Sequence, residues 1–201
     1  MTQEHETAYR RLPADLGAAD LESLFTPTAA DLAFIRSIAD QPIRQFTAMV
    51  QLKTAQHLGR VAPIGPTPER VARHIAHAMG FRRAFRLADL DTYDRSRMRD
   101  KHVIAIREHL KLRRLGQRGR DLLTVVAREA ARTRHYLADI INVMLEELIR
   151  HSYELPAFGL LDAMAGKARE EIHETFFKQI DDSLSSASKE TIASLLTVAQ
   201  A

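Results

Sequence analysis

Nine histidines, several helix-spaced acids and an arginine-rich middle are the residues that could do chemistry in this 201-residue chain. His74-x-x-His77 puts two imidazoles on neighbouring positions of a helix, and Glu170-x-x-His173 has the spacing used by helical di-iron carboxylate sites. A di-iron centre also needs a second such pair and carboxylates from other helices, and no second Glu-x-x-His occurs. The zincin pattern His-Glu-x-x-His is missing as well. These histidines are therefore expected on the surface or facing DNA, with no metal bound. Asp162, Glu171 and Asp181 could each ligate magnesium, but acids on helix surfaces are overwhelmingly solvated or salt-bridged. The chain has no Gly-x-x-x-x-Gly-Lys-Ser/Thr loop, no Gly-x-Gly-x-x-Gly and no Gly-x-Ser-x-Gly elbow. No cofactor, small-molecule substrate or catalytic residue is expected, and the chain does not read as an enzyme.

The arginines carry more information. Residues 1–40 hold 3 Lys/Arg against 7 Asp/Glu, residues 41–150 hold 22 against 11, and residues 151–201 hold 4 against 8. Within the middle block, residues 82–120 carry 13 basic and 5 acidic side chains. Such a surface suits a polyanionic partner, and the competing reading is a solvated helical surface with internal salt bridges. Arginine neutralises phosphates and reads guanine edges in pairs of hydrogen bonds. Tryptophan is absent and Phe and Tyr are few, so duplex DNA fits better than base stacking along a single strand. The candidate DNA-binding side chains are Arg95, Arg97, Arg99, Lys101, Arg107, Arg113, Arg114, Arg118 and Arg120. Arg70 and Arg73 join them on a first helix-turn-helix element, and Lys167 and Arg169 on a second. Most of these would be phosphate contacts.

The elements that must position these side chains are helical. Apolar residues recur at helical spacing between Gly and Pro boundaries, so the fold class is all-α, with two small helical subdomains containing helix-turn-helix-like elements. Residues 1–24 read as a mobile N-terminal arm. Thr28 is the expected N-cap of a helix with Asp31 at its third position and Leu32, Ile35 and Ile38 on its apolar face. A helix from Pro42 to Leu58 is expected to end at Gly59. Thr67-Pro68-Glu69 is a start signal, with a capping hydroxyl, a proline in the first turn and an acid near the positive helix end. The spacing predicts a helix over 94–111, with Val103, Ile106 and Leu110 inward and Arg95, Arg99, Lys101, Arg107 and Lys111 largely outward.

Two glycines, Gly116 and Gly119, make 113–121 read as a basic connection and a subdomain boundary. The first subdomain then spans 25–112 and the second 122–182. Helices are expected over 122–134 and 137–153, the latter with a broad apolar stripe from Leu137 to Ile149. Pro156 interrupts, 158–179 resumes helical spacing, and 183–201 holds a polar connection and a terminal helix. The chain lacks cysteine and any apolar run of about 18 residues, and its N-terminus has no signal-peptide pattern. A cytoplasmic protein with no membrane association is the expectation.

Several landmarks follow one another in a distinctive order. They are Phe25-Thr26 opening a helix with Leu32; Gln51-Leu52-Lys53 followed by Leu58-Gly59-Arg60; Val71-Ala72 with Ile75-Ala76 and Met79-Gly80; and Ile106-Arg107-Glu108-His109-Leu110. Leu155-Pro156-Ala157-Phe158 with Leu161-Asp162, and then Ala168-Arg169, complete the series. Over roughly residues 24–180 this order resembles the amino-terminal region of the large replicative transposases of the Tn-three family. The resemblance implies recognition of transposon terminal inverted repeats in double-stranded DNA, as the N-terminal part of a transposase or a shortened relative. It implies no catalysis in this chain, because the family's acidic triad lies far downstream. A helical interaction module for transposase assembly or regulation, with a possible homo-oligomer, is the other reading.

Overall fold

Helix-forming segments dominate the computed structural model, which describes residues 4–13, 15–81 and 86–198. Among the described residues the fold is all-α, with one 3-10 turn, Glu4–Glu6, and ten α-helices. These are α1 Ala18–Phe25, α2 Ala29–Ile38, α3 Pro42–Leu58, α4 Glu69–Ala78, α5 Leu87–Asp94 and α6 Arg97–His109. They continue with α7 Gln117–Ala131, α8 Leu137–Arg150, α9 Phe158–Ser183 and α10 Ser186–Val198. Arg82 and Arg83 of the basic block lie outside the described residues, as do the ends of the expected arm and terminal segment, 1–3 and 199–201.

Local signals set several boundaries. Thr28 accepts the Asp31 N–H through its hydroxyl at 3.1 Å and donates its own N–H to the Asp31 carboxylate at 2.9 Å, a reciprocal cap that starts α2. Gly59 ends α3 in the left-handed region at φ 68°, where a side chain would be strained. Thr67 does not cap α4 as expected. Pro68 takes the N-cap position, and the Thr67 side chain is buried ahead of it. The helix expected over 94–111 forms as α6, shorter at both ends, and a short helix that was not expected, α5, precedes it across Arg95-Ser96. There the Ser96 hydroxyl accepts the Arg99 N–H at 3.2 Å and starts α6 afresh.

Two apolar clusters organise the chain. The first gathers α1 to α6 around α3, in which every residue from Phe46 to Ala55 is buried. Phe25, Ile35, Phe46, Ile75, Leu90 and Ile106 are almost fully withdrawn from water, each stabilising the fold by about 1.5–3 kcal/mol relative to exposure. The second is a three-helix bundle of α7, α8 and α9, with Leu123, Ile140, Ile141, Met144, Leu148 and Leu161 at its centre.

The N-terminal segment is not the expected mobile arm. Leu16 and Leu21 are buried in the first cluster and Tyr9 in the second. Tyr9 donates its hydroxyl to the Pro156 carbonyl at 2.7 Å and packs edge-on against Phe158, and Ala8 N–H donates to Asn142. The physical reason is apolar content: Tyr9, Leu12, Leu16 and Leu21 give the segment enough surface to bury that it straps across both clusters.

The basic connection expected at 113–121 is half helix. α7 starts at Gln117, so Arg118 and Arg120 stand in its first turn. Gly119 sits inside the helix because the chain packs closely there: a Cβ at this position would come within 2.5 Å of Leu115 Cδ1 and 3.2 Å of Tyr153 Cε1.

Candidate nucleic-acid interface

The joint between the two clusters is built around residues 111–114 and 152–154. Arg113 N–H donates to the Ser152 carbonyl and Glu154 N–H donates to the Arg113 carbonyl, both at 2.8 Å, forming a single parallel bridge. Lys111 and Ser152 flank it with φ of 55° and 54°, the only non-glycine residues among the described ones with positive φ. Such conformations cost about 1–3 kcal/mol each and persist only where neighbours hold them. The Arg113 guanidinium lies over the Tyr153 ring, 4.6 Å from its centroid.

Glu154 ties this bridge to the first cluster. Its carboxylate accepts the Val61 N–H at 2.8 Å and two bonds from the Arg107 guanidinium, at 2.8 and 3.2 Å. Leu155 N–H donates to the Gly59 carbonyl at 3.0 Å. Arg107 is thus mostly withdrawn into an ion pair, with 22% of its side chain exposed, and does not point outward as expected. Arg99 is likewise turned inward, 19% exposed, onto Asp94 at 3.1 Å. The other face of that carboxylate accepts the Ile64 and Gly65 N–H groups and holds the loop before α4. Arg73 is exposed but pairs with Glu69 one turn away.

Among the described residues, Arg97, Lys101, Lys111, Arg114, Arg118 and Arg120 are exposed and make no ion pair. Arg97, Lys101, Ile104 and Glu108 fall on one exposed face of α6 at four-, three- and four-residue steps. Ile104 and Glu108 of that face line a groove of about 410 Å³ together with Arg107, Lys111, Leu112, Arg113 and Arg114. Ile104 is 57% exposed there. The first turn of α7, three residues further along the chain from Arg114, has no acid and no side-chain cap. Its unpaired N–H groups and the helix dipole favour an anion.

The other candidate positions stand apart from this groove. Arg95 is exposed and donates to the Asp91 carbonyl. Arg70 is exposed on α4. Lys167 and Arg128 share Glu171, whose carboxyl is held below its ordinary pKa chiefly by the Arg128 hydrogen bond. Arg169 lines a groove with Asp162, Glu170, His173 and Glu174, a predominantly acidic setting. His74 bonds Thr26 at 2.8 Å, and no group of three or more His, Asp or Glu among the described residues could hold a metal.

Sequence reasoning missed Asp94 and Glu154, the acids that decide which arginines are free. Their partners are Ile64, Gly65 and Arg99 for one, and Val61 and Arg107 for the other. It also missed the buried Lys53, whose ammonium faces Asp31 at 3.4 Å. Only the reciprocal Thr28–Asp31 pattern hinted that Asp31 would be buried and bonded.

None of the described helices is long and apolar enough to cross a membrane. No curated protein matches the chain. Residues 1–168 match the family described as Domain of unknown function (DUF4158), which is found in transposase-related proteins, and the chain belongs to that family.

Proposed function

We propose that this chain binds double-stranded DNA in a sequence-specific way, at transposon terminal inverted repeats, as the N-terminal part of a transposase or a shortened relative. The observation that carries this reading is the set of free cations around the Ile104 groove. Lys111, Arg113 and Arg114 line it beside Glu108, Lys101 stands on the exposed face of α6, and α7 follows in the chain with no acid in its first turn. Phosphates are met by flexible Lys and Arg side chains and by helix N–H groups. An apolar floor such as Ile104 suits a thymine methyl or a sugar edge better than it suits bulk water. The family's occurrence in transposase-related proteins agrees with a DNA target.

The test is salt-dependent binding of the chain to a duplex carrying the inverted repeat of its own element, beside a scrambled duplex of equal length. Preference for the repeat, with affinity falling steeply as salt rises, is the expected result. Equal and weak binding to both duplexes would reduce the function to nonspecific affinity, and no binding by folded protein would sink it.

A second reading, a helical interaction module, has its own observation. From His173 to Ser183 every residue of α9 is exposed, with Phe176, Phe177 and Ile180 at 47%, 71% and 54%. An apolar face of this kind suits self-association or a regulatory partner. Sedimentation of the wild type against Phe177→Glu decides it, a monomer in both cases removing self-association.

A further inference from the structure

We infer that the outward line Arg118–Val125–Arg132 of α7 is a second DNA contact, laid across the major groove of a duplex. The inference rests on the DNA-binding reading above and adds to it the helix that enters the groove. Lys167 and Arg169 of α9, the cations expected on a second helix-turn-helix element, stand among acids. The α7 side of the bundle has the opposite balance. Residues 113–136 carry seven arginines against Asp121 and Glu129, whereas residues 137–183 carry four Lys/Arg against ten Asp/Glu. A polyanion approaching the three-helix bundle is thus drawn to α7 and repelled by α8 and α9.

Arg118, Val125 and Arg132 recur at seven-residue steps, so they fall on nearly one line along the helix, drifting by about 20° per step. Arg132 keeps helical backbone angles as the C-cap, and the line is about 21 Å long. Arg118 is exposed, Val125 is 59% exposed and the Arg132 side chain 61%. A single exposed valine says little. Set midway between two cations, it matches a section through the major groove, which is about 12 Å wide and admits an α-helix. Base edges and thymine methyls then face the centre of the line, and each arginine overhangs one phosphate wall by about 4–5 Å. Arg132 pairs with Glu129 at 3.5 Å, an exposed contact that contributes little and is readily exchanged for a phosphate. Asp121, bonded by Gln117 and one turn from Val125, suits the amino group of a cytosine.

The chain has no cysteine, so Val125→Cys, Ile104→Cys and Phe177→Cys each introduce a single thiol, on α7, at the Ile104 groove and on the exposed half of α9. Each full-length variant is alkylated with a maleimide, alone and with a random-sequence duplex of about 20 base pairs, roughly two helical turns. With duplex at about ten times its dissociation constant, about one chain in eleven is unbound, so the Val125→Cys thiol is expected to react about tenfold more slowly. The Phe177→Cys thiol should keep its rate. In parallel, Arg118→Ala and Arg132→Ala should each flatten the salt dependence of binding by about one phosphate contact, with Lys178→Ala leaving it unchanged. These surface substitutions give the same test should Val125→Cys fail to fold. Bound duplex that leaves the Val125→Cys thiol reactive, whether or not it shields Ile104→Cys, overturns the inference while leaving the DNA-binding reading intact. So does equal slowing of Phe177→Cys, or an unchanged slope in both arginine variants. A wild-type chain that binds no duplex overturns both.

Discussion

Lys53 Nζ lies 3.4 Å from Asp31 Oδ2, with only 7% and 5% of the two side chains exposed. Asp31 is also bonded by Thr28 N–H and by Gln56 at 2.9 Å, so its charge is shared among several donors, whereas Lys53 has Asp31 as its ion-pair partner. Breaking a buried pair by removing one member leaves an uncompensated charge and costs about 3–5 kcal/mol. Lys53→Met is expected to lower the unfolding free energy by about 3 kcal/mol, and adding Asp31→Asn to it should restore more than half of the loss. Urea unfolding of the single and double variants checks this, and equal stability of the two would refute the pairing.

A second expectation concerns pH. Burial drives the His102 pKa below its ordinary value of 6.5, and the Tyr93 hydroxyl sits 3.2 Å from its Nδ1. The unfolded chain binds a proton near that value and the folded chain does not. The stabilisation is therefore complete above 6.5 and is lost as pH falls below it toward the depressed folded value. Asp31 adds a further loss at lower pH. Burial raises its pKa, but the bonds from Thr28 and Gln56 and the Lys53 charge outweigh this and hold it below 3.8. Its contribution is present above 3.8 and disappears as pH drops through the folded value. Urea midpoints at pH 7.5 and 5.5, conditions spanning the histidine range by about one unit each way, should differ in the wild type and differ less in His102→Asn.

Two helical glycines should respond in opposite directions. Glycine in a helix interior usually costs about 0.5–1 kcal/mol relative to alanine. At Gly166 in α9 a Cβ would meet nothing within 4 Å, so Gly166→Ala should gain about that amount. At Gly119 a Cβ would press on Leu115 and Tyr153, so Gly119→Ala should lose about 1 kcal/mol or more. Thermal unfolding of both variants is the check, and a gain at Gly119 would mean that the packing beneath Arg113 is looser than described.

The cations should also separate by role. Lys101→Ala and Arg114→Ala are expected to weaken duplex binding uniformly across sequences and to flatten the salt dependence by about one contact each. Arg99→Ala removes the partner of a half-buried acid, so it should lower stability instead and leave the slope of the folded protein unchanged. An equal slope change for Arg99 and Arg114 would contradict this division.

What was legible in the sequence was local. The Thr28–Asp31 cap, the Gly59 stop and the Ile140–Leu148 part of the α8 stripe each depend on residues within a few turns of one another, and each appears in the structure, whereas Ile149 at the end of the expected stripe is 59% exposed. Helix α5 and the Ser96 start of α6 were harder to see, because Ser96 is one hydroxyl among charged residues that all tolerate a helix. The roles of Arg99 and Arg107 were illegible from spacing alone. Arg107 finds its acid 47 positions away, and Arg99 finds one that is itself committed to loop N–H groups 29 and 30 positions off. A count of charges therefore gave the sign of the surface correctly but not which arginines are on it. The N-terminal segment misled for a related reason: its partners are distant in sequence, Tyr9 bonding Pro156, 147 positions away, so nothing near it marks it as buried.

Helix α9 has two different supports along its length. Leu161, Ala165 and Ala168 are locked into the bundle, whereas His173–Ser183, about 16 Å of helix, is exposed throughout and rests on its own hydrogen bonds and the Lys189–Asp181 pair with α10. Its amide protons should thus exchange with solvent on two clocks. Those near Ala165 wait for the bundle to open, and those near Gln179 need only a local fraying of the helix end. The Arg128–Glu171 pair sits at the boundary between the two regimes. The bundle decides where this helix begins, and the surroundings of its free half decide how far it continues.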